Sequence, residues 1–204
     1  MEPRRILLAI SGGIAAYKTP ELVRTLRRDG HEVRCVLTPE ASRFVSPLSL
    51  QAVSGVMVRQ HLFDAGEEGE IDHIGLADWA DLVLVAPATA NLLAKMAHGL
   101  ADDLVTTVLL ATRSPILVAP AMNVNMWSHS ATEANLAILK TRGVSFVGPD
   151  TGELACGWEG LGRMSDPSVI AEAAAGQLVP RTLEGERVLV TAGGTAEPID
   201  AVRS

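Results

Sequence analysis

Short aliphatic runs that alternate with segments of helical periodicity constrain the fold of this 204-residue chain more than any other feature. Gly30, which follows the first helical pattern, is a natural helix C-cap. The order of the elements predicts an α/β domain with Rossmann-like, flavodoxin-like topology, in which a parallel sheet carries helices on both faces and forms three layers. The strand candidates are residues 5–11, 32–38, 81–86, 115–119 and 145–147, and the helical patterns are residues 14–29, 89–98, 102–112, 132–142 and 167–178.

The composition agrees with this fold and excludes several classes of protein. Hydrophobic residues make up 48% of the chain but aromatic residues only 3%, so the core is aliphatic, as in a buried parallel sheet. With 17 basic and 24 acidic residues, the chain has no basic stripe for a nucleic acid. No apolar run reaches the roughly 18 residues that span a bilayer. Two cysteines form no disulfide framework and the histidines share no metal-ligand spacing, so we expect a cytoplasmic protein without a metal.

Small and hydrogen-bonding residues follow four of the predicted strands. Ligands of open parallel sheets bind beyond the carboxyl ends of the strands, which is where these residues would meet. Their clustering therefore indicates a ligand site at this edge of the sheet. The four segments are Ser11-Gly12-Gly13-Ile14, Thr38-Pro39-Glu40, residues 87–91 and residues 120–123.

Two of these segments have a structural interpretation as well as a functional one. Gly12 and Gly13 suit either a tight turn or the approach of a phosphate to a helix N-terminus, and no GxGxxG pattern decides between the two. Thr89 and Asn91 stand at the start of a helical pattern, where they suit either a helix cap or a ligand contact. Both interpretations stay open at this point.

Two polar side chains have the chemistry of an active site. His73 stands beside Asp72 and before a helical pattern at residues 76–80, and an imidazole suits a base, although a lone histidine is more often structural or exposed. Asn123 suits either a helix cap or a partner for a substrate carboxylate. An amide fits the second role in a decarboxylase, because a fixed cation would stabilise the carboxylate more than the transition state that loses it.

A glycine-rich segment at residues 150–164 shows no periodicity, so we expect a long mobile loop that serves as a flap. Cys156 lies in this segment, where its neighbours do not suit a core position and where a thiol can donate a proton. Cys35, by contrast, lies on a predicted strand and is expected to be a small buried hydrophobe.

Five motifs, together with His73, resemble the flavin-containing cysteine decarboxylases over residues 4–178. The motifs are residues 11–18 (SGGIAAYK), 87–95 (PATANLLAK), 98–106 (HGLADDLVT), 120–127 (PAMNVNMW) and 155–157 (ACG). The resemblance implies that His73, Asn123 and Cys156 are catalytic and that Asn123 and Met126 bind the substrate. It implies FMN as the cofactor, with contacts from Gly12, Gly13, Ile14, Thr38, Thr89, Ala90, Asn91 and Ala121.

Within that family the motifs are most similar to the enzymes of coenzyme A biosynthesis. The resemblance implies decarboxylation of (R)-4′-phospho-N-pantothenoylcysteine to 4′-phosphopantetheine. In this chemistry oxidised flavin takes a hydride equivalent from the carbon beside sulfur, which gives a thioaldehyde. The thioaldehyde accepts the electrons that CO2 leaves behind and becomes an enethiolate. Reduced flavin then returns the hydride to the enethiolate. Asn123 would position the carboxylate, His73 would handle a proton near the oxidation, and Cys156 would donate the proton in the final reduction.

The C-terminal residues change in character. Residues 179–186 have the composition of a linker, and residues 187–204 start a new strand pattern. Gly193-Gly194-Thr195 and residues 197–200 resemble the start of phosphopantothenate–cysteine ligase, which uses Mg²⁺ and CTP or ATP. We therefore expect a decarboxylase domain at residues 1–178, a linker, and the truncated start of a ligase domain, with no ligase activity from this chain.

Three other functions remain as alternatives to this one. The ligase-like tail argues against a decarboxylase of peptides that end in cysteine, and the Asn123 motif and Cys156 argue against a flavin prenyltransferase. A regulatory flavin-binding protein without catalysis would not need His73, Asn123 and Cys156 together. The family also implies self-association, as a homotrimer or as a dodecamer of four trimers.

Overall fold

The computed structural model describes residues 3–62, 72–153 and 157–179, which contain a five-stranded sheet and a two-stranded hairpin. The strands of the sheet lie in the order β2-β1-β3-β4-β5, and every neighbouring pair is parallel. This doubly wound order is the flavodoxin-like one, so the predicted fold class is confirmed. The strands are β1 (Arg5–Ile10), β2 (Glu32–Leu37), β3 (Leu82–Ala88), β4 (Ile116–Pro120) and β5 (Ser145–Phe146).

Helices cover both faces of the sheet. Short 3-10 turns at Ile14–Lys18 and Ala41–Arg43 precede the first two of them. None of the helices in the described ranges is long and apolar enough to cross a bilayer. The helices are α1 (Thr19–Arg28), α2 (Pro47–Ser54), α3 (Asp72–Trp79), α4 (Ala90–His98), α5 (Leu104–Ala111), α6 (Val124–Trp127), α7 (Ser130–Thr141) and α8 (Pro167–Leu178).

Alternate residues of the strands face two separate aliphatic layers. Ile6, Leu8 and Ile10 of β1 pack with α1, α2 and α8, whereas Leu7 and Ala9 pack with α3, α4, α5 and α7. These five side chains are almost fully buried, and burial of a leucine or isoleucine contributes about 1.5–3 kcal/mol. The aliphatic composition therefore suits a sheet that is covered on both sides.

The central strands β1 and β3 are neighbours, although β2 lies between them in the sequence. The chain turns toward one edge of the sheet after β1 and toward the other edge after β3, so a crevice opens between the two connections. Ser11 and Thr89 follow these strands and meet at the crevice, where Thr89 N lies 3.1 Å from Ser11 Oγ. The topology thus brings the strand-end residues to one place.

The expectation of a long loop at residues 150–164 is wrong, because β6 (Asp150–Glu153) and β7 (Glu159–Arg163) form an antiparallel hairpin. Its glycines interrupt the alternation of apolar and polar side chains that would indicate a strand, but they allow the hairpin to pack closely against the turn before α6. A Cβ on Gly162 would overlap the Met122 carbonyl oxygen, and a Cβ on Gly160 would lie 2.9 Å from Val124 Cγ2. Tertiary contact, rather than local pattern, makes these residues strands.

Three helices also differ from the expectation. The pattern at residues 14–29 is a 3-10 turn followed by α1, whose first turn contains Pro20, a residue that suits a helix start. His73 lies inside α3, which begins earlier than residue 76. Helix α2 was not predicted, although it starts at Pro47 and ends before Gly55, which has φ +74°. Cys35 is buried as expected, and burial raises the pKa of its thiol to about 12.

The predicted domain organisation is only partly covered by the described residues. Helix α8 ends at Leu178, the residue at which the decarboxylase domain is predicted to end. Apart from Val179, the predicted linker at residues 179–186 and the predicted ligase segment at residues 187–204 lie outside the described residues.

Candidate active site

Two adjoining cavities open at the carboxyl edge of the sheet, with volumes of about 240 Å³ and 590 Å³. We call them the smaller and the larger cavity. Thr89, Ala90 and Met126 line both, so they form one cleft of the size that small-molecule ligands occupy. The ten residues expected to bind cofactor or substrate all line this cleft: Gly12, Gly13, Ile14, Thr38, Thr89, Ala90, Asn91, Ala121, Asn123 and Met126.

The glycines after β1 are required by packing. A Cβ on Gly12 would overlap Glu40 Cβ, and a Cβ on Gly13 would lie 3.3 Å from Thr89 Cγ2. Gly13 N also donates to the Ser11 carbonyl oxygen over 3.0 Å. The tight-turn interpretation therefore holds, and the same turn exposes both glycines to the cleft.

Ser11 joins the ends of β1 and β3, a role that the sequence did not reveal. Its buried Oγ donates to the Pro87 carbonyl oxygen over 2.7 Å and accepts from Thr89 N over 3.1 Å. Thr89 in turn caps α4, because its Oγ1 accepts from Leu92 N over 3.3 Å. The cap interpretation of Thr89 is confirmed, and the capped end of α4 faces the smaller cavity, where its amides and dipole favour an anion.

Thr38 supplies the clearest sign that the smaller cavity takes a ligand. The residue is 5% exposed, and Oγ1 is buried without a hydrogen-bond partner among the described residues. A buried hydroxyl without a partner costs about 1–3 kcal/mol. Since Thr38 lines the smaller cavity, a ligand oxygen or nitrogen there would satisfy the hydroxyl.

An ion-pair cluster forms part of the wall of the smaller cavity, and the pairing of its residues was not predicted, although they lie in two of the family motifs. Lys95 Nζ lies 2.7 and 3.0 Å from the Asp102 carboxylate oxygens and 3.6 Å from Asp103 Oδ2. The hydrogen bond with Asp102 raises the pKa of Lys95 and lowers the pKa of Asp102. The lysine charge is thereby balanced within the protein.

Asn123 lies in the larger cavity at the start of α6. Its Oδ1 accepts from Asn125 N over 2.8 Å, so the side chain caps α6. Met122 N donates to the Gly162 carbonyl oxygen over 3.0 Å, and this bond holds the β6–β7 hairpin against the turn that carries Asn123. The hairpin thus forms one wall of the larger cavity, as a flap would, through Glu153, Gly162 and Arg163.

The structure describes only one of the other two catalytic candidates. His73 is half-buried on α3 and lines neither cavity. Cys156 lies outside the described residues. Among the described residues, no three His, Cys, Asp or Glu side chains gather in an arrangement that would bind a metal.

Known proteins match almost the whole chain. The sequence matches the family described as Flavoprotein over residues 1–179. It is 51% identical over 201 residues to the Coenzyme A biosynthesis bifunctional protein CoaBC of Escherichia coli (strain K12), and 46% identical over 203 residues to its namesake in Bacillus subtilis (strain 168). Each match covers 98% of this chain, which spans about half (50%) of the length of these curated relatives.

Solved structures share the fold at lower identity. A mutant of PPC decarboxylase complexed with pantothenoylaminoethenethiol matches with a TM-score of 0.76 and 34% identity, over 85% of this chain and 97% of the other. The FMN binding protein AtHal3 matches with a TM-score of 0.73 and 35% identity, over 85% and 96% of the two chains. The FMN-dependent cysteine decarboxylase SpaF matches with a TM-score of 0.73 and 32% identity, over 86% and 98%.

Proposed function

The chain belongs to the Flavoprotein family, and on that premise we propose that it is an FMN-dependent decarboxylase of (R)-4′-phospho-N-pantothenoylcysteine in coenzyme A biosynthesis. The observation that carries the proposal is the shared cleft, in which Asn123 faces the same space as the residues that suit a flavin. Its similarity to CoaBC and to PPC decarboxylase supports this choice of substrate.

FMN fits the two cavities by its chemistry. The smaller cavity offers an unpartnered Thr38 hydroxyl, the capped N-terminus of α4 and Asn91, which suit the phosphate end of the cofactor. The larger cavity offers Gly13, Ile14 and Ala121, whose small or apolar side chains suit a flat ring. A bound flavin would supply the electron sink that the direct loss of CO2 lacks.

Asn123 and Met126 would orient the substrate within this cleft. The Asn123 amide would hold the carboxylate by hydrogen bonds without adding a fixed charge, which leaves the loss of CO2 unhindered. Met126 lines both cavities and is 48% exposed, so it can cover the substrate at the mouth of the cleft. The hairpin wall would exclude water from the reacting carbon and sulfur.

His73 and Cys156 are the two remaining catalytic groups. We assign Cys156, on the chain between β6 and β7, to donation of the proton in the final reduction. His73 does not line the cleft of its own chain, so we infer that a homotrimer, or a dodecamer of four trimers, brings it to a neighbouring cleft. Exposed apolar side chains beside His73 and at the cleft rim, Ile74, Ile14 and Tyr17, suit such subunit contacts.

The full-length protein would also carry the ligase activity, because its CoaBC relatives are twice as long as this chain. The segment at residues 187–204 would begin that domain, which would join cysteine to 4′-phosphopantothenate with Mg²⁺ and CTP or ATP.

A spectrum and a turnover assay test the proposed function. The purified chain should be yellow with FMN, should release CO2 from 4′-phospho-N-pantothenoylcysteine, and should form 4′-phosphopantetheine. Cys156→Ser should still release CO2 but stall before the saturated product, whereas His73→Asn should bind FMN and lose turnover.

Other outcomes of the same assay identify the alternatives. A chain that binds FMN but releases no CO2 from any cysteine-containing acid would be a non-catalytic flavin protein. Faster CO2 release from a peptide that ends in cysteine would make it a peptidyl-cysteine decarboxylase. A chain that refuses FMN even in excess would refute the proposal.

A further inference from the structure

A buried nitrogen of Arg163 lacks a hydrogen-bond partner in the part of the chain that the structure describes. Arg163 ends β7 and lines the larger cavity, and its Nε is shielded from solvent. The side chain lies over Gly152, where an added Cβ would be 3.2 Å from Nε and 3.3 Å from Cδ. A guanidinium keeps its charge in proteins, so this buried donor requires an acceptor that the described residues do not supply.

The charges around Arg163 favour an anion as that acceptor. Lys18 lines the same cavity, and its Nζ is 3.4 Å from the Met164 carbonyl oxygen and 3.5 Å from the exposed carboxylate of Asp166. Glu153 is the one acidic residue among the described residues that line this cavity, and it forms no ion pair with Arg163 or Lys18. Two cations and one carboxylate therefore line the larger cavity.

The chemistry of the proposed reaction decides which anion of the substrate Arg163 would hold. The substrate has a carboxylate, which leaves as CO2, and a phosphate at the opposite end, which does not react. A guanidinium on the carboxylate would stabilise the ground state and slow the reaction, whereas a guanidinium on the phosphate would stabilise ground and transition states equally. The planar fork of an arginine also matches the oxygens of a phosphate.

We propose that Arg163 binds the 4′-phosphate of the substrate and makes the larger cavity selective for phosphorylated pantothenoylcysteine over its dephosphorylated form. The inference rests on the proposed function, since it names the residue that selects the substrate of that reaction. Arg163 acts on binding alone, while Asn123 orients the carboxylate.

The test compares phosphorylated and dephosphorylated ligands in the FMN-loaded protein and in Arg163→Gln. Arg163→Gln should raise KM for 4′-phospho-N-pantothenoylcysteine about 10- to 100-fold, the range expected for a lost hydrogen bond to a charged group, with kcat little changed. KM for pantothenoylcysteine, which lacks the phosphate, should not change. Arg163→Lys should recover part of the selectivity because it keeps the charge.

Arg24→Gln is the matched control, because Arg24 is exposed on α1 and lines neither cavity. It removes the same charge and should leave both KM values unchanged. The assignment would be overturned if Arg163→Gln raised KM or lowered kcat equally for the two substrates, or if it changed neither constant. So would an unaltered preference for the phosphorylated substrate in that variant.

A binding measurement separates this inference from the proposed activity. Isothermal titration with 4′-phosphopantetheine and with pantetheine requires no turnover. The wild-type protein should bind the phosphorylated ligand more tightly, and Arg163→Gln should lose this difference. If the wild-type protein releases no CO2 but prefers the phosphorylated ligand, and Arg163→Gln loses this preference, the phosphate site is supported and the decarboxylase proposal is refuted. If the wild-type protein turns over but shows no preference for the phosphorylated ligand, the phosphate site is refuted.

Discussion

Removal of the Ser11 hydroxyl should weaken both the fold and the flavin site. In Ser11→Ala the Pro87 carbonyl oxygen keeps the Ser11 backbone N–H at 3.3 Å, but Thr89 N loses the acceptor at 3.1 Å. Ser11 is buried, and its hydroxyl also donates to the Pro87 carbonyl oxygen, so two hydrogen bonds are lost. At about 0.5–1.5 kcal/mol for each bond, we expect the free energy of unfolding to fall by about 1–3 kcal/mol. Because Thr89 caps α4 beside the smaller cavity, we also expect FMN affinity to fall about tenfold, equivalent to about 1.4 kcal/mol.

Urea unfolding of the flavin-free protein and a fluorescence titration with FMN measure the two effects separately. Ser42→Ala is the matched control, because the exposed Ser42 Oγ makes a similar bond of 2.8 Å to the Pro39 carbonyl oxygen. This control should lose no more than about 0.5 kcal/mol. A Ser11→Ala protein that is as stable as Ser42→Ala would refute the argument from burial. A protein that is destabilised but binds FMN normally would refute the link between Ser11 and the cofactor site.

Three further predictions follow from single residues. Thr38→Val removes an unpartnered buried hydroxyl, so urea unfolding should show no loss of stability without flavin, while titration should show FMN affinity about tenfold weaker. Gly162→Ala should lower the free energy of unfolding by about 1–3 kcal/mol through overlap with the Met122 carbonyl, whereas Gly176→Ala, with open space around it, should not. Desolvation lowers the pKa of His31 below its usual 6.5, so the unfolded state binds more protons than the folded state, and stability should fall as the pH drops below that value. In urea unfolding, His31→Gln should therefore show a flatter dependence of stability on pH. An unchanged slope in this variant would contradict the burial argument.

Local patterns were sufficient for the sheet but not for the hairpin. Aliphatic strands between helices predict a parallel sheet because only burial on both faces accommodates them. In β7, by contrast, glycine occupies alternate positions, and Gly160 and Gly162 have φ near +155°, which favours glycine. The contacts that require these glycines come from Met122 and Val124, about 40 residues away in the chain. A pattern-based analysis of residues 150–164 does not contain that information.

Some features of the candidate site could likewise be predicted from the sequence, and others could not. The four strand-end segments could be placed together from sequence because the carboxyl ends of parallel strands share an edge. The roles of Ser11 and Arg163 were missed, because they depend on contacts with Thr89 and with the cavity rather than on residue type. A serine that directly follows a central strand is a usable signal, whereas a single arginine on a hairpin is not.

Charge distinguishes the two cavities, although a basic residue lines each. In the smaller cavity Lys95 lies 2.7 Å from Asp102 and 3.6 Å from Asp103, so the donors left for a ligand are neutral, namely the Thr38 hydroxyl and the amides of α4. In the larger cavity Arg163 Nε has no partner within the described residues. A cofactor that stays bound through many turnovers gains from shape and neutral donors, whereas a substrate that exchanges in every turnover gains from electrostatic attraction, which speeds association. The charge distribution therefore favours the cofactor phosphate in the smaller cavity and the substrate phosphate in the larger one.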